Sequence, residues 1–249
     1  MIPFSATPDA PADTIALAAR FGFAPSEYPV SDGLFLYADA GGISLRRSGE
    51  KGCVQADFTS GAAQYRREKG GGELIAKAVG HPAAADIIDA TGGLGRDAFV
   101  LAAHGINVRI IERHPAAACL LADGLARALA CPDTAQAAAR ITLYHGDAAA
   151  LLPALAAAHR PDTVYLDPMY PVRRKNAAVK KEMAYFHQLI GSAQASDDAT
   201  LLAAARAAAK KRVAVKRPRL GEFLCGAKPA YQYSGKSTRF DIYLPEHPE

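Results

Sequence analysis

The sequence predicts an α/β fold: a doubly wound, mostly parallel sheet with a C-terminal antiparallel hairpin, preceded by a small N-terminal α+β subdomain. Three observations support this prediction. From residue 86 onward, short apolar runs alternate with alanine-rich helical stretches, as in strands joined by crossover helices. A glycine-rich turn directly follows the first of these runs. The chain closes with two strand-like runs around Ser234-Gly235-Lys236-Ser237, which indicates the hairpin.

The first 62 residues are expected to form the small subdomain, and residues 63–249 the main domain. A short helix is favoured over residues 13–20. Three apolar runs, at residues 34–38, 43–46 and 54–58, are separated by glycine-containing breaks and favour a small antiparallel sheet.

The main domain is expected to alternate strands and helices. The pattern predicts strands at residues 87–88, 108–111, 141–144, 163–166 and 213–216, and hairpin strands at 231–233 and 239–244. It predicts helices at residues 74–79, 99–103, 116–130, 148–158, 180–190 and 200–210.

Composition excludes several classes of protein. Half of the 249 residues are hydrophobic and 22% are charged, so a large core is expected rather than disorder. The four cysteines are scattered without a C-x-x-C pair, which argues against a disulfide framework or a zinc site, and no metal is expected. No apolar stretch reaches the roughly 20 residues of a membrane span, and no signal peptide is recognisable. A cytoplasmic protein is expected; its oligomeric state is not predicted.

The glycine-rich turn carries the first chemical signal. It reads Asp89-Ala90-Thr91-Gly92-Gly93-Leu94-Gly95-Arg96-Asp97 and opens a helix. Glycines allow the backbone to approach a ligand, and Glu112, at the end of the next strand, is placed to accept both ribose hydroxyls of an adenine nucleoside. The alternative is a helix-entry turn that binds nothing.

Two details favour S-adenosylmethionine over a dinucleotide at this turn. The run lacks a complete G-x-G-x-x-G, because no third glycine follows Gly95 at the required spacing. Asp89 stands before the glycines, where a carboxylate pairs better with the methionine ammonium than with a pyrophosphate. Asp147 follows the third strand, where it either contacts the adenine amino group or caps the next helix. Both roles stay open.

The candidate catalytic residues are Asp167, Pro168, Met169 and Tyr170, directly after the fourth strand. They resemble the (D/N)-P-P-(F/Y) motif of amino-group methyltransferases, with Met169 in place of the second proline. The lone pair of an exocyclic amine is delocalised into its ring. We expect Asp167 and the Pro168 carbonyl to accept the two N–H bonds and to direct the lone pair at the methyl group, while Tyr170 stacks on the base.

Basic residues cluster near this motif and predict contacts with an RNA backbone. They fall in three segments: one beside a triple glycine, one after the catalytic motif and one at the end of the fifth strand. The residues are Arg66 and Arg67; Arg173, Arg174, Lys175, Lys180 and Lys181; and Lys216 and Arg217.

From about residue 64 to 190 the chain resembles the RsmJ family, bacterial guanine-N2 methyltransferases of small-subunit ribosomal RNA. The matching stretches are Arg66-Arg67 with Gly70-Gly71-Gly72, Lys77-Ala78-Val79-Gly80, residues 89–97, Glu112-Arg113, residues 165–171 and Lys180-Lys181-Glu182-Met183.

The resemblance implies a Rossmann-like class I methyltransferase whose substrate is a guanine near the 3′ end of 16S rRNA, with 16S rRNA or the small ribosomal subunit as partner. It also implies a set of contacts to S-adenosylmethionine. These contacts are Arg96, Asp97, Glu112, Arg113, Asp147, Ala148 and Asp167. Together with Asp89, Gly93 and Gly95 of the glycine turn, they are the expected cofactor-binding residues.

Three alternatives remain at this level. An amino-group methyltransferase acting on DNA adenine or protein glutamine would share the cofactor and the catalytic motif. An NAD-dependent oxidoreductase would use the glycine turn and Glu112 but leave Asp167 unexplained. A catalytically silent RNA-binding module would retain the fold without turnover.

Overall fold

The computed structural model describes residues 2–26, 30–61, 72–82, 85–169, 181–190 and 195–246. Eleven strands lie in these ranges: β1 (Phe4–Ala6), β2 (Leu34–Asp39), β3 (Gly42–Arg47), β4 (Cys53–Val54), β5 (Asp86–Asp89), β6 (Asn107–Glu112), β7 (Ile141–His145), β8 (Thr163–Leu166), β9 (Arg212–Pro218), β10 (Tyr231–Ser234) and β11 (Thr238–Tyr243). The same ranges hold eight α-helices: α1 (Ala12–Ala19), α2 (Gly72–Val79), α3 (Arg96–Ala103), α4 (Pro115–Ala130), α5 (Pro132–Ala138), α6 (Ala148–Ala158), α7 (Lys181–Ile190) and α8 (Ala195–Ala208).

The main sheet has seven strands in the order β10-β11-β9-β8-β5-β6-β7. Strands β5 to β9 pair in parallel, whereas β11 is antiparallel to both β9 and β10. The predicted doubly wound sheet with its C-terminal hairpin is confirmed. The chain builds outward from β5 to β7, then returns to place β8 on the other side of β5. Ligands bind at such a switch point, outside the carboxyl ends of the strands.

Helices cover both faces of this sheet, and its central strands β5 and β8 are buried on both sides. Successive side chains of a strand point to opposite faces. Accordingly, Ile87 belongs to the core cluster that also contains Phe99, and its neighbour Ile88 to the cluster that contains Leu152. All four of these residues are at most 2% exposed.

A second, four-stranded sheet has the order β1-β2-β3-β4. The expected antiparallel pairing holds for β2, β3 and β4, but β1, which the sequence did not predict, pairs in parallel with β2. The strand predicted at residues 54–58 is wrong beyond Val54. Ala56 and Phe58 leave the sheet and enter the core of the main domain, where the Phe58 ring stacks on Phe99 with 4.3 Å between centroids.

The small sheet shares a hydrophobic core with the main domain. Leu36 and Leu45 of its strands pack in one cluster with Cys119 and Leu120 of α4 and with Tyr185 of α7. The boundary predicted between residues 62 and 63 lies outside the described residues and stays a prediction.

The largest differences from the predicted helices concern α5 and α8. A separate helix, α5, begins at Pro132 immediately after α4, and the Thr134 hydroxyl donates to the Ala128 carbonyl at 2.7 Å, which closes the junction. Helix α8 begins at Ala195, ahead of the expected residue 200. None of the described helices combines the length and apolar character needed to cross a membrane.

Candidate functional site

One cavity of about 1000 Å³ opens at the carboxyl edge of the main sheet. Its glycine-turn end is lined by residues 89–97, 111–113 and 146–149, which follow β5, β6 and β7. Its Leu220 end is lined by residues 216–218, 220–221 and 237–238, around the ends of β9 and β11. Asp167 lies between the two ends, because β8 stands between β5 and β9 in the sheet.

The glycine turn brings bare backbone to the cavity wall. Gly93 and Gly95 have φ angles of 53° and 69°, a left-handed conformation that glycine adopts without strain. A Cβ on Gly95 would lie 2.5 Å from the Leu121 side chain, so the turn is packed directly on α4. A ligand at this end can therefore approach the main-chain atoms of the turn closely.

Glu112 ties this turn to the end of β6. Its Oε2 accepts from the Gly93 N–H and its Oε1 from the His114 N–H, both at 2.7 Å. Burial raises the pKa of Glu112, and these two N–H groups oppose the rise. Each carboxylate oxygen can accept a second hydrogen bond. Glu112 can thus fix the turn and bind two vicinal hydroxyls together.

Asp89 is the buried carboxyl beside the turn. It is only 3% exposed, and its Oδ1 accepts from the Thr91 N–H at 3.0 Å and the Thr91 hydroxyl at 3.3 Å. Burial raises its pKa to about 7, and the nearby Asp97 and Asp167 carboxylates add to the rise. A cation placed beside Asp89 would favour its ionised form.

Asp147 caps helix α6, since its Oδ1 accepts from the Ala150 N–H at 3.1 Å. The helix-cap role of Asp147 is confirmed. Its contact with an adenine amino group stays a prediction, for which its second oxygen remains. Asp147 and Ala148 both line the cavity, as expected for ligand-contacting residues.

Arg96, Asp97 and Arg113 also line the cavity. Asp97 lies at its floor, where Oδ2 accepts from the Tyr165 hydroxyl and from Lys216 Nζ, each at 2.6 Å. Arg113 is half-exposed and its guanidinium lies 3.5 Å from Asp197 Oδ2. Their contacts with S-adenosylmethionine stay predictions.

Asp167 follows β8 and is held from two sides. Its backbone N–H donates to the Thr91 hydroxyl oxygen at 2.6 Å, and its Oδ2 accepts from Lys216 Nζ at 2.9 Å. The side chain is 42% exposed, but it opens into the cavity rather than onto the outer surface. The protein atoms around the carboxyl group keep water from it and therefore raise its pKa. The Lys216 ammonium partly opposes this rise. Pro168 is buried and Met169 half-buried, and both line the cavity.

Lys216 is a site residue whose position the sequence reasoning missed. It was expected at an RNA phosphate, but it lies in the cavity floor between the Asp97 and Asp167 carboxylates. Register could have found it: β8 and β9 pair Leu166 with Val215, so the next residue of each strand is Asp167 and Lys216.

Arg217 was also expected to contact RNA. It is only 6% exposed, its Nε donates to the Glu222 carbonyl at 3.0 Å, and it lines the cavity. Contacts of Lys216 and Arg217 with RNA stay predictions.

Of the remaining predicted residues of the catalytic motif and the basic segments, the structure describes one: Lys181, the first residue of helix α7. Those that lie outside the described residues are Tyr170, Arg66, Arg67, Arg173, Arg174, Lys175 and Lys180. Among the described residues, no group of three or more His, Cys, Asp or Glu could hold a metal ion, and the expectation of no metal stays a prediction.

Comparison with known proteins agrees with this geometry. Residues 17–245 match a family model described as "Putative SAM-dependent methyltransferase". Ribosomal RNA small subunit methyltransferase J of Neisseria meningitidis serogroup C / serotype 2a is 62% identical over 231 residues, 92% of each chain. The protein of the same name from Chromobacterium violaceum is 48% identical and covers 92% of this chain and 90% of its own. The crystal structure of a SAM-dependent methyltransferase from Neisseria gonorrhoeae superimposes with a TM-score of 0.85 at 53% identity, covering 99% of this chain and 97% of that one.

Proposed function

This chain belongs to the family of ribosomal RNA small subunit methyltransferase J, which is S-adenosylmethionine-dependent, and from that membership we propose that it methylates the exocyclic N2 amino group of a guanine near the 3′ end of 16S rRNA. The observation that supports this chemistry is the position of Asp167. Its carboxylate opens into the cavity between the glycine-turn end and the Leu220 end, where a donor and an acceptor would meet. Such a substrate would place the enzyme in the cytoplasm.

The glycine-turn end fits S-adenosylmethionine. The Asp89 carboxyl suits the ammonium, the bare backbone of Gly93 and Gly95 gives close approach, and Glu112 suits the ribose hydroxyls. Asp147 is proposed to bind the adenine amino group, with Ala148 beside it. When bound, S-adenosylmethionine supplies a methyl group on a positively charged sulfur. An amine can accept this group in one displacement, with no change of oxidation state.

Asp167 and Pro168 are proposed to orient the acceptor. The guanine amine donates its two N–H bonds to the Asp167 carboxylate and to the Pro168 carbonyl, so its lone pair turns out of the ring plane and toward the methyl group. The nitrogen gains the methyl group and a positive charge as the bond between sulfur and the methyl carbon breaks and its electron pair stays on the sulfur. The nitrogen then loses one proton, which the Asp167 carboxylate can accept through the hydrogen bond already made to that N–H. A carboxylate beside it stabilises that charge throughout. Asp167 is suited to this role because Thr91 and Lys216 fix it before the substrate arrives.

The RNA contacts of this proposal come from the catalytic motif and from the basic segments. Tyr170 is proposed to stack on the extruded guanine. The basic segment at residues 173–181 and the pair Arg66 and Arg67 are proposed to bind phosphates flanking it.

Family membership favours this function over the three alternatives. The relatives are named for small-subunit ribosomal RNA, not for DNA or protein acceptors. A nicotinamide-dependent oxidoreductase would not need a carboxylate at Asp167. A silent RNA-binding module would not need to hold that carboxylate toward an open cavity.

The test is transfer of labelled methyl groups from S-adenosylmethionine to 16S rRNA and to small ribosomal subunits, with the modified nucleoside identified after digestion. We expect N2-methylguanosine with the wild type. Asp167→Asn should lower the rate by about a hundredfold, roughly 3 kcal/mol of transition-state stabilisation. Asp133→Asn, on an exposed carboxylate of α5, should retain full activity. A different labelled nucleoside, or no labelled RNA, would refute the assignment.

A further inference from the structure

Leu220 is 85% exposed and lines the rim of the cavity at its Leu220 end. Isolated exposed leucines are common on protein surfaces, so exposure alone carries no meaning. What distinguishes Leu220 is how firmly the turn that presents it is held, and what lies beside it.

The turn is closed by its own backbone and fastened to the hairpin. The Gly221 N–H donates to the Pro218 carbonyl at 2.9 Å, and the Arg219 N–H donates to the Ser237 carbonyl at 3.0 Å. In addition, Nη1 of Arg239 donates to the carbonyls of Arg219 at 3.0 Å and Gly221 at 2.7 Å. The backbone on both sides of Leu220 is therefore fixed.

Arg239 is itself fixed by a buried carboxylate. Its Nε and Nη2 lie 2.8 Å and 3.1 Å from the two oxygens of Asp241, which is fully buried. Burying an ion pair costs desolvation energy that its own attraction only partly offsets. Here the Arg239–Asp241 pair fixes the turn, and the turn exposes the Leu220 side chain to water before any partner binds. Such preorganisation lowers the entropy cost of binding.

The turn stands next to the proposed chemistry. It follows β9, whose Lys216 contacts Asp167, so Leu220 and the Asp167 carboxylate line one continuous cavity. Two exposed cations belong to the same region: Arg219 precedes Leu220 in the turn, and Lys236 precedes Ser237, whose carbonyl accepts from the Arg219 N–H. An apolar side chain with cations in the neighbouring chain segments, at a cavity, matches a nucleic acid, which offers flat base faces between phosphates.

We propose that Leu220 packs against the face of the nucleobase adjacent to the target guanine in the RNA, with Arg219 and Lys236 beside the flanking phosphates. This inference rests on the proposed function. A guanine that enters the cavity leaves its stack and uncovers the face of its neighbour. Leucine is one of the apolar residues that proteins insert at such unstacked steps. Leu220 then compensates the neighbour for the lost stacking, which favours the extruded state.

The first test is kinetic and uses small ribosomal subunits as substrate. Leu220→Ser should lower kcat/KM for the RNA by about tenfold or more, while the Kd for S-adenosylmethionine stays within about twofold of wild type. Leu220→Met should restore most of the activity. Leu129→Ser is the matched control, because Leu129 is 51% exposed on α4, outside the residues that line the cavity, and should behave as wild type. Unchanged kinetics in Leu220→Ser, with an active wild type, would overturn the inference and leave the proposed function standing.

The second test locates the partner directly. A photoreactive benzoyl-phenylalanine is placed at position 220, or at position 129 as control, and the protein is irradiated with small subunits. We expect cross-links from position 220 to nucleotides next to the methylated guanine, read as reverse-transcription stops. Cross-links only to distant nucleotides, to a ribosomal protein or to a second copy of this chain would refute the assignment. If the wild type methylates no RNA, the proposed function has failed instead.

Discussion

The ammonium of Lys216 lies 2.9 Å from Oδ2 of Asp167, and both residues line the cavity. The same nitrogen lies 2.6 Å from Oδ2 of Asp97, so one cation bridges two carboxylates. Burial alone would lower the pKa of Lys216, but the two carboxylates outweigh burial and raise it. Lys216 therefore stays protonated and favours the ionised form of Asp167, which an amine acceptor needs.

Lys216→Met should lower kcat/KM for methyl transfer by about tenfold or more and shift the activity profile to higher pH. Without the ammonium, the pKa of Asp167 rises further, so a larger share of the enzyme carries a neutral carboxyl at a given pH. Lys216→Arg should keep the wild-type profile more closely. The measurement is kcat/KM against pH, with Lys211→Met, which removes a surface pair with Asp162, as control. A loss of activity with no shift of the profile would contradict this role.

Binding of S-adenosylmethionine should tighten as pH rises through the pKa of Asp89, which is raised to about 7. Below that pH the carboxyl is mainly protonated and cannot pair with the ammonium; above it the carboxylate is available. Between pH 6 and 7.5 the ionised share, and with it the affinity, should increase by about fivefold or more. Titration calorimetry of wild type and Asp89→Asn tests this, because the variant should bind weakly and lose the pH dependence. Asp147→Asn should retain it. A wild-type affinity that is flat over this range would exclude an ammonium partner.

Glu112→Gln should both destabilise the fold and weaken S-adenosylmethionine binding. Each carboxylate oxygen accepts a backbone N–H at 2.7 Å, and an amide can offer only one oxygen, so one buried N–H loses its acceptor. The expected loss is about 1–3 kcal/mol in the free energy of unfolding. Denaturant unfolding without ligand measures this separately from ligand affinity. Glu73→Gln, on an exposed residue of α2, is the control. Weaker binding with unchanged stability would mean that Glu112 serves the ligand alone.

Tyr185→Phe should cost about 1 kcal/mol in the free energy of unfolding, and Tyr185→Ala about 3–5 kcal/mol. The ring is 3% exposed in the core shared with the small sheet, and its hydroxyl donates to Glu50 Oε2 at 2.7 Å. Denaturant unfolding gives both values, and equal losses would show that the ring contributes nothing beyond its hydrogen bond. Phe186, the next residue on α7, lines the cavity, so Tyr185→Ala should also raise the KM for RNA.

The part of the fold predicted from sequence is the part determined locally. Alternating strands and helices, the glycine turn and Asp167 at a strand end each leave a pattern within about ten residues. The three-residue strand β1 leaves none, because it exists only by pairing with β2, some thirty residues later. Phe58 reads as a strand residue but packs on Phe99 of another element.

The positions of the candidate site residues follow the same rule. Asp89, Glu112 and Asp167 line the cavity, as expected from their places at the ends of strands, while their roles stay predictions. A lysine such as Lys216 looks like any surface cation in the sequence, and only the register between β8 and β9 places it beside Asp167. The role of the Arg239–Asp241 pair cannot be predicted from the sequence either, because it depends on the hydrogen bonds of Arg239 to the carbonyls of Arg219 and Gly221.

The core that the small sheet shares with α4 and α7 determines which truncated forms of the chain can fold. A shortened chain that starts after residue 62 would leave Cys119, Leu120 and Tyr185 facing water, so it should aggregate or lose α7 rather than behave as a minimal enzyme. The two sheets should melt in a single cooperative transition. The function of the small sheet is therefore better tested by point substitutions of its exposed residues, since deletion would remove side chains that pack against α4 and α7.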